Sequence, residues 1–386
     1  MTRSFYPPVR TLMGPGPSDV SPRVLSALAR PTIGHLDPLF VDLMDEIKAL
    51  LQYAFQTSNE LTLPVSAPGS AGMEACFVNL VSPGDTVIVC QNGVFGGRMK
   101  ENVERCGATA IMVEDHWGEP VSLDKVAAAF HSHPQANLLA FVHAETSTGV
   151  RYPVKEVSSI VKNYPNTICV IDGITGVGVF ELPMDEWGID ILVAGSQKAF
   201  MLPPGLAFAG VSDKAWEMNK TSKMPRFYFN WTKELTNLKK NQTNFTPAIS
   251  LIVGLRESLR MMREDGLEKI YKRAEILARA TREGAIALGL QPFAKNPSPA
   301  VTAIYAPEGI DGQAIYKSLW KKYGVTGAGG QDHLKGKIFR IATLGYADKY
   351  DVVTAIAALE FTLKDLGHKF QMGAGVGRAL EILQEL

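Results

Sequence analysis

Two residues in this chain have the types and the setting for covalent chemistry. The run Ile189-Asp190-Ile191-Leu192-Val193-Ala194-Gly195-Ser196-Gln197-Lys198 reads as an apolar strand that delivers a lysine to its end. A glycine- and proline-rich loop, Met201-Leu202-Pro203-Pro204-Gly205, follows. Upstream, Ile168-Cys169-Val170-Ile171-Asp172-Gly173 ends in the same way on a carboxylate. A lysine can form a Schiff base with a carbonyl cofactor or substrate. An open α/β sheet gathers its chemistry at the carboxyl ends of its strands. A lone lysine after an edge strand is ordinarily a solvated one; the paired Asp172 and the flanking loops turn the reading toward chemistry.

Asp172 taken alone reads as a turn or N-cap aspartate. Its functional reading is a carboxylate that keeps a pyridinium nitrogen protonated, as pyridoxal phosphate (PLP) requires to act as an electron sink. The small-residue turn Ala67-Pro68-Gly69-Ser70-Ala71-Gly72 lies between an expected strand and helix. Such a turn aims backbone N–H groups and a positive helix end at one point, which suits a phosphate. No Gly-Lys-Ser/Thr follows it, and no GxGxxG stands in a βαβ setting, so nucleotide sites have little support. Phe95, in the glycine loop Gln91-Asn92-Gly93-Val94-Phe95-Gly96-Gly97, can pack in a core or stack on a flat cofactor. Arg340 sits in a strand of alternating character; it can face solvent or take a carboxylate with its guanidinium fork. Gly14-Pro15-Gly16-Pro17 is a rigid extended loop that serves either as a linker or as a pocket wall.

The elements that must position these residues alternate along the chain. Strands are expected over 61–66, 86–90, 109–113, 138–143, 168–172, 189–194 and 206–211, with helices over 73–80, 93–106, 123–130 and 154–163 between them. That alternation means α/β architecture: a doubly wound, mostly parallel sheet. Before it come a short helix near 23–29 and a long amphipathic one over 37–56. The stretch 214–246, rich in Lys, Asn, Thr and aromatics, reads as partly irregular surface or interface. Two long helices follow over 248–290. The remainder reads as a smaller α+β domain with a final helix or frayed end beyond Gly367. A chain of 386 residues exceeds one ordinary core. The expected division is 1–17 as a segment lining the active site, 18–262 as a large domain and 263–386 as a small one.

With 39 Lys+Arg against 39 Asp+Glu, no net field steers the chain to nucleic acid or an anionic membrane. The four cysteines lack CxxC spacing and mostly lie in apolar runs, which suggests buried thiols in a reducing compartment. No signal peptide or membrane span is evident, and a cytoplasmic location is expected by default. No metal-ligand pattern is found.

The stretches Gly14-Pro15-Gly16-Pro17-Ser18, Gly69-Ser70-Ala71-Gly72-Met73-Glu74-Ala75, Glu145-Thr146-Ser147-Thr148-Gly149-Val150, Ile171-Asp172, Gly195-Ser196-Gln197-Lys198 and Leu255-Arg256-Glu257-Ser258-Leu259 occur in one order over nearly the whole chain. In them the sequence resembles a class V aminotransferase of PLP fold type I. It resembles most the group acting in alanine–glyoxylate, serine–pyruvate and serine–glyoxylate transfer. The resemblance implies that Lys198 holds PLP and moves the proton, and that Asp172 pairs with the pyridine nitrogen. It implies Phe95 stacked on the ring and Thr146 at the ring hydroxyl or the substrate. Ser70, the amides of Ala71 and Gly72, and Gln197 would hold the phosphate, with Thr246 reaching the phosphate of a partner subunit in a homodimer with shared sites. Arg340 would bind the α-carboxylate, and Gly16 would line the substrate space. Small amino acids and 2-oxo acids would then be the substrates. No second cation in the matched motifs is placed for a side-chain carboxylate, so aspartate and glutamate are expected to be poor donors. Two other readings stand beside transamination. A desulfurase or lyase of the same superfamily is one, but a desulfurase needs a cysteine in the C-terminal half, and the last cysteine is Cys169. The other is a non-catalytic PLP-binding sensor, which would need an added DNA-binding module; the chain begins almost at once with the Gly-Pro loop.

Overall fold

The computed structural model describes residues 5–386. Its large sheet has seven strands in the order Leu61–Val65, Ala207–Val211, Ile191–Gly195, Ile168–Asp172, Leu138–Val142, Thr86–Gln91 and Thr109–Glu114. The last five run parallel to one another. Ala207–Val211 is antiparallel to both its neighbours. Successive strand residues point to opposite faces. Ile88 and Cys90 therefore enter a core on one side, with the helices Pro38–Phe55 and Ile249–Asp265. Val87 and Val89 enter the other, under Gly69–Leu80 and Val94–Arg105. Both faces are covered, so the central strands read as continuous apolar runs rather than as alternating ones.

The chain goes outward from Thr86–Gln91 to Thr109–Glu114, then returns to Leu138–Val142 and proceeds the other way to Ile168–Asp172. The crevice between the carboxyl ends of Thr86–Gln91 and Leu138–Val142 is thus the switch point where such sheets bind ligands. Phe95 follows the first of these ends and Thr146 the second.

A three-stranded antiparallel sheet, in the order Val301–Tyr305, Ile338–Ala342, Ala328–Gly329, carries the second core with Gly312–Tyr323, Lys349–Asp365 and Ala374–Leu383. The helix Leu267–Ala287 joins the two cores: Leu267 and Ile270 pack in the first, Ile276 and Leu277 in the second. Thr11–Leu12 pairs in parallel with Val325–Thr326, and Met13 is buried in the second core. The N-terminal segment is therefore strapped to the smaller sheet before it reaches the cavity.

Three expectations change. The helix expected over 73–80 starts at Gly69, so most of the small-residue turn is its first turn. The stretch 214–246 holds two helices, Asp213–Thr221 and Trp231–Leu238, capped by Ser212 and Asn230. Trp231, Leu235 and Leu238 form a buried stripe on the second of them, which the polar composition concealed. The strand Ile338–Ala342 is buried along its whole length, so Arg340 does not face solvent.

Candidate active site

A cavity of about 250 Å³ opens at the carboxyl ends of the large sheet, and Ser70, Phe95, Thr146, Asp172, Gln197 and Lys198 share its wall. Lys198 lies three residues past its strand, in a loop closed by Ser196. The Ser196 hydroxyl donates to Pro203 O at 2.8 Å and accepts from Leu206 N–H at 3.2 Å. Ser18 fastens the N-terminal loop to the lysine: its Oγ donates to Lys198 O at 2.7 Å and its N–H to Gln197 O at 2.9 Å. The Lys198 ammonium donates to the carbonyl of Pro15. Gly16 passes so close that a Cβ there would lie 2.6 Å from Lys198 Nζ, and its φ of +121° also calls for glycine. Burial pushes the Lys198 amine down to about 8; the carboxylate of Asp172 works against that shift, while Arg340 adds to it.

Asp172 is 6% exposed. Among the described residues, the one hydrogen bond to its carboxylate comes from Ile174 N–H, at 2.9 Å. Burial pushes this carboxyl up to about 6, against that bond and the charges of Lys198 and Arg98. It stays largely ionised at neutral pH, with acceptor capacity to spare toward the cavity. The helix Gly69–Leu80 presents its N-terminus here with no side-chain cap. The Ala71 and Gly72 N–H groups bond back to Pro68 O, at 2.8 and 3.2 Å, and neither residue lines the cavity. Gly72 instead lets the helix pack closely on the sheet, where a Cβ would meet Ala207 Cβ at 2.7 Å.

The chain matches the family model described as aminotransferase class-V over residues 23–333. It belongs to the class V aminotransferases. The aminotransferase is 40% identical to a Synechococcus protein named soluble hydrogenase, small subunit, over 96% of this chain and 98% of that one. It is 34% identical to the L-aspartate–glyoxylate aminotransferase of Paracoccus denitrificans, covering 95% of this chain and 94% of the relative. The crystal structure of the ureidoglycine–glyoxylate aminotransferase of Bacillus subtilis superposes with a TM-score of 0.94 at 30% identity, covering 99% of this chain and all of that one.

The family is PLP-dependent, and the residues present fit the cofactor. The uncapped helix N-terminus beside Ser70 suits a phosphate. The Gln197 side-chain oxygen is buried without a partner on the same wall, and an amide can offer either its oxygen or its NH₂. Phe95 supplies a flat apolar face, Asp172 an ionised carboxylate, and Lys198 a partly neutral amine.

Arg340 stands behind this wall of the aminotransferase rather than on it. Its Nη1 donates to Thr146 O at 2.7 Å and to Gln331 Oε1 at 3.3 Å; its Nε and Nη2 donate to Gly329 O at 3.1 and 2.7 Å. Thr246 is exposed and lines no part of the cavity of its own chain.

Three residues on or beside the cavity wall went unread in the sequence. Arg98 lines the cavity with its guanidinium 4.7 Å from the Phe95 ring centroid. Its i,i+3 spacing from Phe95 was the available signal. Glu145 is fully buried and bonds to the Phe95 N–H. His143 lies beside the Asp172 strand, its backbone N–H donating to Asp172 O at 2.9 Å and its buried Nδ1 unpartnered. The last two stand in or next to a motif that was noticed only for Thr146.

Proposed function

We propose that this aminotransferase moves the amino group of a small amino acid, alanine or serine, to a small 2-oxo acid, glyoxylate or pyruvate, by a ping-pong route. The observation that carries this reading is the N-terminal loop. Pro15 and Gly16 press rigid backbone against Lys198, so a donor meets a wall that cannot swing aside, and overlap with packed atoms is costly. The names of the Paracoccus and Bacillus proteins, both glyoxylate aminotransferases, agree with a small acceptor.

PLP, when bound, supplies an electron sink for the charge left at the donor Cα. Lys198 Nζ would hold the cofactor covalently and, once released by the donor amine, would carry the Cα proton onto the cofactor; in the second half-reaction it would carry a proton the opposite way. Asp172 would keep the proton on the pyridine nitrogen. Phe95 would lie on the ring, Thr146 at its hydroxyl side, and Ser70 and Gln197 at the phosphate. Arg340 would take the α-carboxylate with its remaining N–H and by exchange with Gln331. Cysteine chemistry gains no support, because all four thiols are buried and none lines the cavity. Free buried thiols suit a reducing, cytoplasmic setting.

One observation favours a second donor class. Arg98 is a cation on the cavity wall, where a side-chain carboxylate would find it, and the Paracoccus relative is named for aspartate. The deciding experiment measures kcat/KM for alanine, serine, aspartate, glutamate and phenylalanine against glyoxylate and pyruvate. Alanine and serine are expected to lead with parallel double-reciprocal lines. Aspartate equal to them would make Arg98 a donor-binding residue, and glutamate or phenylalanine equal to them would contradict the tight pocket.

The reading includes a homodimer with shared sites. Exposed Thr246 lies near exposed Phe227 and half-buried Phe245, whose rings are 5.5 Å apart, in a patch suited to a second copy. Mixing Lys198→Ala with a Thr246 variant should restore some activity in hybrid dimers. Full activity in a monomer at high dilution would exclude the sharing.

A further inference from the structure

The helix Val94–Arg105 begins without a cap of its own. Its N-cap is Gly93, and the first N–H groups of a helix need acceptors. They find them in another part of the chain. Val94 N–H donates to Ser147 Oγ at 3.0 Å and Phe95 N–H to Glu145 Oε2 at 3.0 Å. The other oxygen, Oε1, accepts from Ser147 N–H at 3.0 Å and from Ser147 Oγ at 2.5 Å. Gly93 makes room: a Cβ there would sit 2.4 Å from Glu145 Cδ and 2.5 Å from Ser147 Oγ. The residue between these two borrowed caps is Thr146, whose carbonyl holds Arg340 Nη1 at 2.7 Å.

We propose that Glu145 is a positioning residue: one buried carboxylate fixes the ring of Phe95 on one side and, through Thr146, the guanidinium of Arg340 on the other. Every group that meets its side-chain oxygens is a donor, so the site needs an acceptor-only side chain, which an ionised carboxylate is. Burial pushes this carboxyl up, while its hydrogen-bond donors and the helix N-terminus it faces favour the ionised form. A glutamine has the same shape, but its NH₂ would point at N–H groups on one side or the other, and one grip must be lost.

This inference rests on the roles proposed above for Phe95 and Arg340, and the controls separate the two. Glu145→Gln and the milder Ser147→Ala are compared with Phe95→Leu and Arg340→Lys. The readouts are KM for alanine, the visible circular dichroism of bound PLP, and Tm of the holoenzyme. A lost hydrogen bond to a buried charge is worth roughly a ten-fold change or more in an equilibrium. Glu145→Gln is expected to raise KM roughly ten-fold for every donor and to weaken the dichroic band, with kcat changed less. Ser147→Ala should move both in the same direction by less, and it carries the test if Glu145→Gln does not fold. A lower Tm with KM and the band unchanged would make Glu145 merely structural and overturn the proposal, as would no change in any readout. If Phe95→Leu leaves the band and Arg340→Lys leaves KM unchanged, the underlying site reading has failed instead.

Discussion

Lys198 and Arg340 are both cations drawn out of water near one cavity, yet the protein holds them in opposite ways. Burial lowers both, Lys198 to about 8 and Arg340 to about 10. Lys198 hangs on a loop beyond its strand, and among the described residues its ammonium meets a single acceptor, the Pro15 carbonyl. Arg340 stands in mid-strand, gripped by Gly329, Thr146 and Gln331. On the function proposed above, the group that would shed a proton and change partners is held by one bond, and the group that would keep its charge and direction is held by several. Guanidinium suits the second task because it starts high enough to keep its proton even when burial lowers it, and it offers a rigid fork; an amine suits the first because a similar lowering brings it near neutrality.

Lys198→Ala should break this contrast most severely. On the proposed function it would remove the covalent link and the proton carrier, and a positioned acid–base group alone accounts for about 10²–10⁴ in rate. Tm should not fall, because a buried amine that meets mainly one carbonyl costs desolvation. Arg340→Lys is next: an ammonium cannot reproduce the fork, and KM for every donor should rise roughly 10- to 100-fold, the worth of a hydrogen bond to a charged group. Gly16→Ala tests whether the loop presses on the amine. The positive φ and the clash with Lys198 should cost about 1–3 kcal/mol of stability by denaturant unfolding and slow the capture of added PLP. The mildest perturbation is pH. Neutral amine is the reactive form, so capture of PLP by apoprotein should fall about tenfold per unit as pH drops well below 8 and level off above it. An ordinary lysine would still be climbing above pH 9.

The parts of this arrangement that could be read in sequence are those that depend on one segment at a time. The strands ending near Asp172 and Lys198 were legible because both faces of the sheet are covered, which leaves unbroken apolar runs. The parallel order followed from the intervening helices. Arg340 was harder: Arg340 and its neighbours suggested alternation, but helices and the N-terminal strap cover the small sheet as well, and the arginine is 5% exposed. The small-residue turn was legible as a strand-to-helix junction, but its limits were not. Helix begins at Gly69, so Ala71 and Gly72 spend their N–H groups on Pro68. Glu145 escaped because its partner lies across the fold: it accepts from the N–H of Phe95, 50 residues away in the chain. Arg98 lies three residues from Phe95 on one helix, and that spacing was the signal left unread. Gly16 was expected by resemblance to line the substrate space; its close approach to Lys198 depends on Ser18 tying the loop to Gln197 and Lys198.

The central claim is that Lys198 carries the cofactor. Borohydride reduction of the PLP-loaded protein, followed by protease digestion and mass mapping, tests it without relying on turnover. The predicted result is one pyridoxyl label on the peptide containing Gly195-Ser196-Gln197-Lys198, lost in Lys198→Ala. A label on any other lysine, or the same label surviving in Lys198→Ala, would contradict the assignment.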